Sequence, residues 1–361
     1  MRATASIRDL GQSIWLDNLT RDLLRDGTLK YYIGEFSVTG VTSNPTIFDH
    51  AITNSSAYDD DILEGAKRGK TGEDLFFDLA IADIQRAADL LIDTHAATNG
   101  LDGWVSLEVP PSLAYETDGT VAAARRLFGE VNRPNVFIKI PGTQSGLQAV
   151  EEAVFSGVPI NITLLFSPGQ YRAAAGAYLR GVERRIAAGM HPVVPSVASV
   201  FISRWDVAVQ KHASAELRGT LGVSIAACVY ACYRQVLSDT RWQRAFNFGA
   251  LPQRLLWAST GTKDPKASPT YYVDALAAPF SINTMPDVTL KALADKDHAP
   301  QMMGTDTTLA EKILTQFAGA GVDVEPLGHE LQDLGVRSFQ KSWAELMQRI
   351  MSKHAKLIHA Q

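Results

Sequence analysis

The sequence predicts a closed barrel of eight parallel strands alternating with helices, and three observations predict it. Short apolar runs recur eight times between longer amphipathic stretches. They are spaced a little under 40 residues apart over about 270 residues of chain, enough for a strand plus a crossover helix of ~30 or more residues. No Pro/Gly/Ser-rich linker or shift of composition divides the 361 residues, which favours one closed barrel over two doubly wound sheets. An open α/β sheet is the second choice.

In chain order the predicted strands are 13–16 (SIWL), 38–42 (VTGVT), 103–109 (GWVSLEV), 135–140 (NVFIKI), 159–165 (PINITLL), 193–199 (VVPSVAS), 254–259 (RLLWAS) and 280–284 (FSINT). Between the second and third, Leu75, Leu79, Ile81, Ile84, Ala88 and Leu91 fall mostly three or four residues apart and predict a helix. Residues 143–155, 170–188 and 223–237 follow the same period. The tail, about 324–361, places apolar residues at helical spacing and predicts one or two helices packed outside the barrel. The expectation is a single barrel domain over 1–361 with that helical extension.

Thirty-four lysines and arginines against 39 acidic residues leave a net charge of −5, which gives no general attraction to polyanions. Neither a nucleic acid nor a membrane surface is therefore an expected partner. With 46% apolar and 20% charged residues the chain has the composition of an ordinary globule. Cys228 and Cys232 are the two cysteines, and their i, i+4 spacing on one helix face excludes a disulfide framework. No apolar run approaches the ~18 to 20 residues of a membrane span, and the first residues carry no secretory h-region, so a cytoplasmic protein is expected. The eight histidines are scattered without metal-ligand spacing, and no Gly-x-Gly-x-x-Gly follows a strand. No metal and no cofactor are expected.

Strands buried on both faces should be almost wholly apolar, so polar residues within or just after them need a reason. In a barrel the C-terminal strand ends carry the chemistry. Asp17 follows SIWL, Asn44 follows Val-Thr-Ser, Glu108 sits in VSLEV, Lys139 in VFIKIP, and Asn161 and Thr163 in INITLLF. Ser199 and Ser259 follow later. Lys139 is the most informative, because a lysine among Val136, Phe137, Ile138 and Ile140 is costly to keep charged, and a neutral amine is a nucleophile suited to a Schiff base. The bland reading is an edge-strand lysine that reaches water. Schiff-base chemistry also needs groups that move protons, and Asp17 and Glu108 are the carboxylates at strand ends. Each taken alone reads equally well as a cap or a surface ion-pair partner. Asn44 also fits turn chemistry before Pro45, and Asn161 and Thr163 fit the satisfaction of buried backbone groups. Arg204 at a helix start, and the loop Ser259-Thr260-Gly261-Thr262-Lys263, suggest phosphate binding, although such loops are often plain turns.

Taken together these segments resemble the transaldolases: WLDNL at 15–19, VTSNPTIF at 41–48, VSLEV at 105–109, VFIKIPGTQSGL at 136–147, INITLLFS at 160–167, Arg204, and WASTGTK at 257–263. The resemblance covers essentially the whole chain in order. It implies a cofactor-free (β/α)8 barrel acting on sugar phosphates, with the Schiff-base lysine on the fourth strand, where the strand count puts Lys139. It further implies that Glu108 shuttles protons through a water held by Thr163, and that Asp17 takes the C4 hydroxyl proton. Asn44, Asn161 and Ser199 would orient the dihydroxyacetone hydroxyls, and Arg204, Ser259 and Lys263 would hold the phosphate. Two departures stand out. Lys263 replaces an arginine that similar enzymes carry two residues after the serine, and SVFISR replaces Ser-Pro-Phe-x-Gly-Arg. A monomer or homodimer is expected. The neighbouring reading is a fructose 6-phosphate aldolase, whose chains are shorter and carry other groups at the Asp17 and Glu108 positions.

Overall fold

Eight strands alternate with helices in the computed structural model, which describes residues 2–211, 213–214, 216–297 and 300–359. They are β1 (Gln12–Leu16), β2 (Val38–Val41), β3 (Trp104–Glu108), β4 (Val136–Pro141), β5 (Ile160–Leu165), β6 (Ser196–Phe201), β7 (Arg254–Ala258) and β8 (Ser281–Met285). Each runs parallel to its neighbours, and β8 pairs back onto β1 from Gln12↔Ser281 to Leu16↔Met285, which closes the sheet. The barrel is therefore closed rather than an open sheet. The strands are buried almost throughout because one face fills the interior while the other meets the helices, and this produces their nearly continuous apolar runs.

The sixth strand differs from its expected span of 193–199, for a simple reason. Pro192 and Pro195 lack the N–H a ladder requires, so pairing starts at Ser196 and runs on to Phe201. Ser199 consequently lies within β6 rather than at its end. Elsewhere the predicted and observed strands differ by a residue or two.

The N-terminal end of the barrel is filled by aromatic rings. Phe137 stacks on Trp104 at 4.1 Å and on Trp15 at 6.2 Å between ring centroids. Nearby, Asp102 accepts hydrogen bonds from Trp15 Nε1 at 2.8 Å and from Ser13 Oγ. Arg254, on β7, donates to Ser13 Oγ at 2.6 Å, to Ser281 O at 3.1 Å and to Leu101 O at 2.8 Å. Each of these side chains thus has a buried partner, as a low-dielectric interior requires, although the Nε of Arg254 has none among the described residues. Gly40 gives Trp15 its space, since a Cβ there would lie 2.5 Å from the indole.

Helix starts are built from local chemistry. Thr143 caps Gln144–Phe155 by accepting from Gly146 N, and Ser167 with Gln170 forms a capping box on Pro168–Ala187. The helix Leu221–Ser238 carries Cys228 and Cys232, both free. It alone among the described residues is long and apolar enough to cross a membrane, contrary to the expectation that no segment approaches that length. Here Leu221, Ile225, Val229 and Tyr233 are buried within the protein core.

The predicted extension forms one continuous helix, Val324–His359; residues 360 and 361 lie outside the described part. Its later part packs outside the barrel, on the helices Pro45–Asn54 and Gly72–Ala97, with Trp343 against Phe76 and Lys353 Nζ donating to Ile52 O at 2.9 Å. The helix also crosses the C-terminal mouth, where Gln332 Nε2 donates to Gly142 O at 3.0 Å and to Leu164 O at 2.9 Å. Helical period alone reveals an apolar face but not the surface that receives it. Gly40→Ala should drive the new methyl into Trp15 and lower unfolding stability by about 1–3 kcal/mol, read from the denaturant midpoint.

Candidate active site

Parallel register brings the interior polar residues to one level. Glu108 of β3 pairs with Lys139 of β4, and Lys139 pairs with Asn161 of β5. Inward-facing positions alternate along a strand, so Phe137 lies in the aromatic layer and Lys139 in the layer above it. Lys139 is only 5% exposed and Glu108 6%, which rules out the edge-strand reading of the lysine. Its Nζ lies 3.1 Å from Glu108 Oε2 and donates to Ser43 O at 3.0 Å.

Burial pushes the Glu108 carboxyl above its usual range, opposed by the Lys139 charge and reinforced by the nearby Asp17 charge. Burial likewise raises Asp17, opposed first by Lys139, then by a 2.8 Å hydrogen bond from Thr42 Oγ1, then by Lys263. Both groups thus hold a proton more readily than free carboxylates do, which suits acid/base work near neutral pH. Thr42 Oγ1 also meets Thr284 Oγ1 at 2.7 Å, tying β2 to β8 beside Asp17.

A cleft of about 120 Å³ at the C-terminal mouth gathers most of the predicted residues: Asp17, Asn44, Lys139, Thr163, Ser199, Arg204, Ser259 and Lys263 all line it. Glu108 lies behind Lys139 and faces a smaller cavity closed by Trp343. Asn161 also stands back from the cleft, donating to Ser106 Oγ at 3.1 Å and accepting from Ser199 Oγ at 2.6 Å. Thr163 Oγ1 and Glu108 Oε1 are buried with no hydrogen-bond partner among the described residues, an arrangement that calls for a water or a substrate hydroxyl.

Asn44 serves the backbone as well. It caps the helix Pro45–Asn54, accepting from Ile47 N at 3.1 Å, while lining the cleft. Turn chemistry and site placement therefore coexist in one residue. Arg204 lies in the first turn of the short helix Ser203–Ala208, half-buried, with the rings of Phe201 and Phe339 nearby. Burial lowers its pKa, and the Glu108 charge opposes this. Ser259 turns the chain after β7 with φ at 56°, a left-handed conformation that a non-glycine residue adopts at a cost. Its hydroxyl meets Ser203 Oγ at 2.9 Å and its carbonyl accepts from Ser203 N at 3.0 Å. Lys263 is exposed at the rim, between the cleft and a larger groove of about 370 Å³.

Thr42, Ser203 and Phe339 were not singled out from the sequence. Thr42 and Ser203 adjoin singled-out segments, and a polar residue after an apolar run is a signal that would have found Thr42. Nothing local marks Phe339, which arrives from a helix over 130 residues downstream of Arg204.

Known proteins resemble this chain over nearly its whole length. The transaldolase/fructose-6-phosphate aldolase family matches residues 14–350. A transaldolase of Thiobacillus denitrificans is 42% identical, with 97% of this chain and 100% of that protein covered. A transaldolase of Saccharopolyspora erythraea is 41% identical over 96% of both chains, and transaldolase 2 of Nostoc punctiforme is 38% identical over 96% of both. With the match spanning nearly the whole barrel and Lys139 on its fourth strand, the chain belongs to the transaldolase/fructose-6-phosphate aldolase family.

Proposed function

We propose that the chain is a transaldolase that moves a dihydroxyacetone unit from sedoheptulose 7-phosphate to glyceraldehyde 3-phosphate, yielding erythrose 4-phosphate and fructose 6-phosphate. The observation that carries this reading is the buried Lys139, 3.1 Å from the Glu108 carboxylate and open to a cleft that also holds Asp17 and Arg204.

Lys139 gives up its ammonium proton before it attacks, and Glu108 is the carboxylate within reach to take it. The free amine adds to the C2 carbonyl of the ketose. Glu108, through a water held by Thr163, returns a proton to the carbinolamine oxygen, water leaves, and an iminium forms. Asp17 then takes the C4 hydroxyl proton while the C3–C4 bond breaks. Its electron pair flows into the iminium, erythrose 4-phosphate departs as the aldehyde, and an enamine remains on Lys139. The enamine carbon adds to the aldehyde of glyceraldehyde 3-phosphate, Asp17 protonates the new alkoxide, and hydrolysis frees the lysine. Ser199, Asn44 and Asn161 orient the dihydroxyacetone hydroxyls. Arg204, Ser259 and Lys263 provide the phosphate site against a net charge of −5, so attraction for the substrate is local to the cleft mouth.

Borohydride reduction in the presence of fructose 6-phosphate should leave a dihydroxyacetone-derived adduct on Lys139, located by peptide mass spectrometry. An adduct elsewhere, with Lys139 unmodified, refutes the reading. Lys139→Ala should abolish both adduct and turnover. Asp17→Asn should lower the rate of carbon–carbon cleavage by about 10²–10⁴-fold while imine formation persists, separated by single-turnover trapping; equal losses in both steps contradict the role given to Asp17. Thr42 donates to the charged form of Asp17, so Thr42→Val should favour the protonated form and move the acidic limb of the kcat profile to higher pH. The family also contains aldolases that release free dihydroxyacetone. Turnover of fructose 6-phosphate that depends on an added acceptor aldehyde separates transfer from simple cleavage.

A further inference from the structure

Two aromatic rings lie near the guanidinium of Arg204. Its guanidinium carbon is 4.9 Å from the Phe201 ring centroid, at the end of β6, and 5.8 Å from that of Phe339, in the helix Val324–His359. All three residues line the catalytic cleft, and Phe339 is 6% exposed. Among the described residues Arg204 has neither a hydrogen bond nor an ion pair, so its plane is set by packing, on the rings and on Gly335. A guanidinium packed against aromatic rings keeps its N–H edge for an anion, and the two-pronged contact with a phosphate works only when its plane is set.

The helix is shaped for this approach. Gly335 lies one turn before Phe339, and a Cβ there would sit 2.8 Å from Leu164 Cδ2 and 3.0 Å from Arg204 Nη1. Gln332, a further turn back, fastens the helix to the carbonyls of Gly142 and Leu164. Gln332, Gly335 and Phe339 follow the three- and four-residue steps of one helical face.

We propose that Phe339 is a positioning residue that fixes the plane of Arg204 so that its N–H edge meets the phosphate of the sugar substrate, with Gly335 leaving the guanidinium its space. The inference rests on the transfer reading for the identity of that substrate. The helix at the end of the chain is then part of the phosphate site.

The test uses the full-length protein and two readouts. The first is the Kd for inorganic phosphate by calorimetry, which needs no turnover. The second is the kcat/KM preference for fructose 6-phosphate over unphosphorylated fructose, with a transfer acceptor present. Phe339→Ala and Phe339→Leu should each weaken phosphate binding and lower that preference about fivefold or more, with KM rising more than kcat falls. Phe339→Tyr, which restores a ring face, should recover both. Gly335→Ala should reproduce the loss by displacing Arg204 from the other side. The leucine variant keeps the apolar fill, so phosphate binding by Phe339→Leu equal to wild type overturns the proposal. Wild-type phosphate binding that Arg204→Ala leaves intact overturns it as well. A wild type that binds phosphate through Arg204 and Phe339 yet forms no Lys139 adduct refutes the transfer reading and upholds the clamp.

Discussion

Placing a lysine inside a closed barrel imposes a demand that the surrounding structure answers. The side chain of Lys139 is almost wholly out of solvent, and an isolated ammonium there is prohibitive unless a counter-charge and hydrogen-bond acceptors are close at hand. Glu108 supplies the charge and the Ser43 carbonyl an acceptor. These come from β3 and from the segment after β2, so the pair requires three consecutive parts of the barrel in register. Removing either partner leaves the other buried and uncompensated. The pairing that makes the lysine tolerable also holds a carboxylate 3.1 Å from its nitrogen.

The interior is ordered in layers because parallel strands bring equivalent positions side by side. At one end the rings of Trp15, Trp104 and Phe137 and the Asp102–Arg254 network close the barrel. Above them sit Glu108, Lys139 and Asn161, and above those the cleft opens beneath a long helix. The β5–β6 register shifts between Ile162 and Leu165, and Leu164 has φ at 57°. The strained turn is steadied by Gln332, whose amide takes up the Leu164 carbonyl. An irregularity in the ladder thus sits beside Thr163 and is supported from the far end of the chain.

The barrel was legible in the sequence because its strands are short, apolar and evenly spaced, and the interior polar residues were legible because they break those runs. Lys139 is the clearest case, and its neighbours Glu108 and Asn161 come to the same level through register alone. The sixth strand was misjudged at its start because Val193 and Val194 look like strand while the flanking prolines forbid it. The cleft wall was less legible. Phe339 and Gln332 are ordinary residues on an amphipathic helix, and no local pattern says which surface that helix covers. Asn161 illustrates a subtler limit: its level could be foreseen, but not that its amide would be occupied by Ser106 and Ser199.

The route of the helix Val324–His359 bears on how the protein is made. All eight strands have been synthesised once the chain reaches Met285, ahead of the helix that walls the cleft. At that stage the cleft lacks the wall formed by Phe339, and the Leu164 carbonyl lacks its partner. Until Phe339 has been added, Lys139 would therefore face a cleft short of one of its walls. The order of synthesis thus puts the strands of the barrel before one wall of its cleft.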